Sequence, residues 1–150
     1  MVESQKAVAT CMEGGVVFAM LAPHAPVLVP EVGGEARAEV AATVAALERA
    51  ARLLAEAPAD AVALVTPHGP VRERATAVYL DGGLAGDFGG FGAPQAAVSL
   101  AVDRGLAEAL LEEAERAGVA CHAARPERLD HGALVPLYFL QAAGALRPAV

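Results

Sequence analysis

Three of the four histidines in this chain stand where an imidazole could bind a metal or move a proton. His24 lies in "PHAP" (23–26) and His68 in "PHGP" (67–70), so one Pro-His-x-Pro frame occurs twice. The first proline of each frame fixes its own φ, and the second drives the residue before it out of the helical region. A loop stiffened in this way leaves little conformational entropy to lose when the imidazole takes a ligand. Neutral imidazole is a ready ligand for Fe(II) and Zn(II). One such frame alone would read as proline ending a strand beside a solvated histidine. Two copies at equivalent strand ends point instead to a shared site.

The third setting is "LDHGALVPLYF" (129–139). Asp130 can cap the helix that follows, and Gly132 lets backbone or ligand approach closely. His131 then sits at the positive end of the helix dipole, which favours the neutral ring. A neutral imidazole can take up a proton and return it, which is general acid–base work. On this motif by itself, a helix-start histidine bonded to backbone is the simpler reading. His122, in "VACHA" (119–123), has no such frame and reads as structural or exposed. Phe88 and Phe91 are candidates to line an aromatic pocket, although packing of their loop onto a sheet is the plainer role. That loop, "GGLAGDFGGFGAPQ" (82–95), does not match G-x-G-x-x-G and no helix follows it, so it is a poor nucleotide-binding turn.

The elements that must carry these residues follow from hydrophobic periodicity. "VVFAMLA" (16–22) and "AVALVT" (61–66) are short apolar runs, each ended by proline, and predict buried strands. Between them residues 35–57 repeat Val40, Val44, Leu47, Ala51 and Leu54 at helical spacing, with Pro58 as the stop. Strand, helix, strand predicts a right-handed βαβ unit with parallel strands. His24 and His68 then fall at the carboxyl ends of those strands, the edge where open α/β sheets bind ligands. Further strands are expected at 75–81, 96–102 and 119–123. A helix capped by Asp103 should run to about 117 on the face Leu106, Leu110, Ala114, and another should span roughly 132–143. The pattern predicts an α/β fold with a mostly parallel central sheet flanked by helices.

The chain has 150 residues and is 55% hydrophobic, enough for one domain with a core of its own. Residues 1–13 read as a loose leader and 14–150 as the domain, with the closing "RPAV" resembling the opening of another strand. A net charge of −7 argues against a nucleic-acid partner. Cys11 and Cys121 form no C-x-x-C pair and read as reduced thiols. With no signal peptide pattern and no unbroken apolar span, a cytoplasmic protein without a membrane partner is expected.

Four ordered stretches, "MLAPHAPVLVPEVG", "ALVTPHGPV", "GDFGGFGAPQ" and "LDHGALVPLYF", together resemble the class III extradiol ring-cleavage dioxygenases of the subunit-B-like family. The likeness is to the branch found beside, or fused to, other proteins of the AmmeMemoRadiSam system, and it runs from about Val16 onward. It implies a non-haem Fe(II) held by two histidines and a carboxylate, acting on a catechol-type aromatic diol with O2. The matching ligand positions are His24 and His68, and the matching acid–base position is His131. Asp130, Phe88 and Phe91 are the candidate substrate-pocket residues. Zn(II) is an expected substitute in isolated protein. In the family the carboxylate comes from a segment beyond the "LDHG" helix, so the chain is expected to be a C-terminally truncated version of the domain. Glu31 is the nearest local acid. A homo-oligomer, or a second chain completing the sheet, is one expected outcome. A non-catalytic metal-binding or assembly module on the same scaffold is another.

Overall fold

Helix α4 (His131–Ala142) is the axis on which the molecule is built. Eight of its twelve residues are buried, from Gly132 to Leu137 and then Phe139 and Leu140. A helix apolar on all sides needs cover on all sides. Helix α2 (Ala41–Glu56) packs on one flank through the stripe Val44, Leu47, Ala51 and Leu54. Strands β2 (Gly83–Phe88) and β3 (Ala93–Ala101) pack on another. The computed structural model describes residues 15–69, 75–80, 82–125 and 128–146. The leader, Cys11, Pro70, Asp81 and the "RPAV" tail lie outside the described residues.

The fold is mixed α/β, with two small sheets among the described residues. Strands β1 (Thr76–Tyr79) and β4 (Cys121–Ala124) form a parallel pair, Thr76 opposite Cys121 and Tyr79 opposite Ala124. Helix α3 (Arg104–Arg116) crosses between and packs on both. Asp103 caps it as expected, its carboxylate accepting from Leu106 N at 3.0 Å. Its buried face centres on Ala107, whereas Leu110 is exposed, so the face predicted from Leu106, Leu110 and Ala114 is rotated. Both stripes are apolar in sequence, and contact with the parallel pair selects one.

The glycine-rich segment expected to be a loop is in fact half of an antiparallel hairpin. β2 and β3 pair from Gly83–Ala101 to Asp87–Ala97, with a bulge at Asp87/Phe88. Gly92, at φ 83°, closes the turn. Gly86 explains why glycine is used within a strand. A Cβ there would lie 2.9 Å from Leu134 Cδ2 and 3.1 Å from Leu129 Cβ, so only a bare backbone passes this close to α4. β3 follows a strand's alternation, burying Ala93, Ala96, Val98 and Leu100.

The strands predicted at 16–22 and 61–66 carry no ladder among the described residues. Both segments still turn one face to the core, through Phe18, Met20, Ala22 and Leu64. The opposite faces are open, with Val17, Leu21 and Val65 at 55%, 102% and 89% exposure. Continuous apolar runs are typical of strands covered on both faces, and here the described residues cover only one. Ahead of α2, a short helix α1 (Pro30–Gly33) and a 3-10 stretch over Gly34–Val40 replace the first turns of the predicted long helix. No helix among the described residues is long and apolar enough to cross a membrane.

Candidate metal centre

His24, His68 and His131 meet. One nitrogen from each lies within 4.8 Å of the others, and they form a three-residue group containing no carboxylate. His24 Nε2 and His68 Nε2 are 3.1 Å apart. The His68 and His131 rings stack at 4.4 Å and 29°, and His24 closes the triangle at 5.0 and 5.8 Å. His24 and His131 are half-buried, whereas His68 is exposed.

Each ring is placed by a different device. After His24 the chain turns through Pro26–Leu28, which plants Leu28 and Val29 in the core at 1% and 0% exposure. Arg37 Nε donates to Leu28 O at 2.9 Å, and Gly33 N donates to Val29 O at 2.8 Å. A Cβ on Gly33 would overlap Val27 O at 2.0 Å, so glycine is needed for this close return. His68 is held through Thr66. Its backbone N–H donates to Thr66 Oγ1 at 3.3 Å, and that hydroxyl donates to Asp130 Oδ1 at 2.8 Å. His131 opens α4, capped by Asp130, whose Oδ1 accepts from Gly132 N at 2.7 Å and Ala133 N at 3.2 Å. Asp130 is thus a cap and a tie to Thr66.

The donor set suits a first-row metal. Two imidazole nitrogens held at about 2.1 Å from one ion, roughly at a right angle, stand about 3 Å apart. The His24–His68 spacing matches this. Without an ion, the same contact accommodates one proton, one ring donating and the other accepting. The chemistry of three imidazole nitrogens favours Fe(II), Zn(II) and their neighbours over Ca(II) or Mg(II).

The remaining candidates separate. Phe91 is 47% exposed and presents an edge-on contact to His131, with centroids 5.9 Å apart at 73°. Phe88, fully buried, belongs to the core and packs against Tyr138. Glu31, the nearest local acid in sequence, does not join the imidazoles. Tyr138 Oη donates to its carboxylate, at 3.0 and 3.1 Å. Partial burial, then the Glu31 bond and charge, raise the Tyr138 hydroxyl above its ordinary value of 10.0, with Arg37 pulling the other way. His122 sits on β4, outside the group. Thr66 escaped the sequence analysis, where it read only as the last residue of a strand. The signal was a hydroxyl two residues before His68, a spacing that allows a local side-chain to backbone bond.

The family described as the catalytic LigB subunit of aromatic ring-opening dioxygenase matches residues 18–147. A Clostridium acetobutylicum protein, "Protein CA_C1420", is 30% identical over 129 residues, covering 80% of this chain. The chain spans 28% of that relative's length. No solved structure matches.

Proposed function

The chain belongs to the LigB family, the catalytic subunit of aromatic ring-opening dioxygenases, and on that premise we propose that it supports extradiol cleavage of a catechol-type diol by O2. His24 and His68 hold Fe(II), and His131 handles protons. The observation that carries this reading is the meeting of three imidazoles from three distant segments, at the positions where the sequence places family ligands and base. Bound Fe(II) supplies a Lewis acid for the two diol oxygens and a route for electrons from the ring to O2. His131 takes a proton from one diol hydroxyl and later returns a proton to oxygen as the ring opens. Phe91, edge-on to His131, offers the substrate ring an aromatic wall at the open side. Gly132, without a side chain, leaves room for His68 beside the helix start, since a Cβ there would stand 3.0 Å from His68 Cδ2. Zn(II) fits the same nitrogens in protein isolated in air.

The test is anaerobic loading with Fe(II), followed by a screen of catechols for O2 uptake and a coloured ring-fission product. Uptake that disappears in His131→Ala while iron stays bound is expected. Stoichiometric iron with no uptake for any diol would overturn the proposal.

A second reading, a non-catalytic assembly module, has its own observation in the open apolar faces at Val17, Leu21 and Val65. It commits to a second copy of the chain as the cover. Light scattering should then show a dimer or larger species. A monodisperse monomer that turns over catechol would dismiss it.

A further inference from the structure

We propose that Thr66 and Asp130 are positioning residues, and that the hydroxyl–carboxylate bond between them sets the His68 ring against the His131 ring. The metal consequence rests on the proposed function above, whereas the positional one does not.

The arm that carries His68 has little else among the described residues to hold it. Leu64 packs on the core, but Val65 is 89% exposed and His68 itself is exposed. Thr66 lies between them and makes two bonds. Its hydroxyl oxygen accepts from His68 N at 3.3 Å, fixing the turn into the histidine. Its proton goes to Asp130 Oδ1 at 2.8 Å, across 64 residues of chain. The same Oδ1 caps α4, so one carboxylate oxygen orients the backbone that starts His131 and the loop that presents His68. The bond is charge-assisted and partly shielded from water, which makes it stronger than a neutral surface contact.

Gly132 shows how tight the junction is. A Cβ there would stand 2.4 Å from Thr66 Oγ1, 2.8 Å from Asp130 Oδ1 and 3.0 Å from His68 Cδ2. These are three parts of one junction. The absence of a side chain at Gly132 is what lets the arm dock on the helix start. Residues that orient ligands from behind commonly change metal affinity by about 10–100-fold when lost.

Three variants test this. Thr66→Val keeps the shape and removes the hydroxyl. Thr66→Ser restores the hydroxyl. Gly132→Ala leaves every hydrogen-bonding group in place and forces the arm away. In the metal-free full chain, nuclear Overhauser contacts between the His68 and His131 ring protons report the stack directly. They should be present in wild type and Thr66→Ser and absent in Thr66→Val and Gly132→Ala. Thermal midpoints of the metal-free variants establish that each is folded. Co(II) titration, followed by its visible absorption, should then give an affinity about 10–100-fold weaker in Thr66→Val and near wild type in Thr66→Ser. Ring contacts that persist unchanged in folded Thr66→Val overturn the latch, whatever cobalt does. Wild type that shows the ring contacts but takes no cobalt overturns the metal reading and leaves the latch standing.

Discussion

The two Pro-His-x-Pro arms share a sequence frame and differ in how they are held. The His24 arm runs directly into the core, where Leu28 and Val29 are buried and Arg37 bonds the turn. The His68 arm is exposed on both sides of Thr66 and is tied by a hydroxyl to the cap of α4. Proline stiffens a loop locally, but it does not say where the loop is attached. The attachment decides what a mutation there would damage. Changes under His24 should cost the whole fold, and changes under His68 should cost the site and little else.

The largest expected effect comes from Leu28→Ala. Removing a fully buried leucine should lower global stability by about 2–5 kcal/mol, read as a shift in the urea midpoint with the slope unchanged. A loss below about 1 kcal/mol would mean that the His24 arm is not anchored by burial. Asp130→Ala should cost less, about 0.5–2 kcal/mol, the range for a lost helix cap. Unlike Leu28→Ala, it should also abolish the His68–His131 ring contacts while the chain remains folded. If both variants simply unfold in parallel, the contrast between the arms fails.

The smallest effect concerns a second tie on the His24 side, Tyr138 to Glu31. The hydroxyl of Tyr138 is raised above 10.0, chiefly by burial and then by the acid it bonds. A group whose value is raised on folding contributes stability below its unfolded value and loses that contribution as pH climbs through the folded one. Tyr138 should therefore stay protonated past pH 10, and the bond should fail only above that. The phenolate absorbance of wild type minus Tyr138→Phe should titrate with a midpoint above 10.0. A midpoint at or below the ordinary value would show that Tyr138 is neither buried nor bonded to Glu31 in solution.

Much of this was legible in the sequence, because it depended on local signals. Asp103 and Asp130 announce their helices as caps, and both side chains accept the expected backbone bonds. The stripe Val44, Leu47, Ala51, Leu54 gives α2 its buried face. The Pro-His frames and "LDHG" name the three imidazoles that meet. What was hidden depended on distant partners. β2 reads as loop because its glycines lower strand propensity, and only contact with Leu129 and Leu134 explains Gly86. Residues 16–22 and 61–66 read as strands because apolar runs say nothing about which neighbour supplies a ladder. Phe88 and Phe91 look alike in sequence, yet one is core and the other faces His131. Thr66 signals only its local bond to His68, because its second partner, Asp130, lies 64 residues away.

That separation along the polymer has a temporal consequence. His24 and His68 stand 44 residues apart, and the Thr66–Asp130 bond spans 64. Closing such long loops is entropically unfavourable, and contacts of this kind form late during folding. The trio of rings is therefore a product of folding and cannot guide its early steps. An ion bound at the proposed site would favour the finished chain, and would raise its resistance to unfolding in proportion to the logarithm of the ion's concentration once that exceeds the dissociation constant.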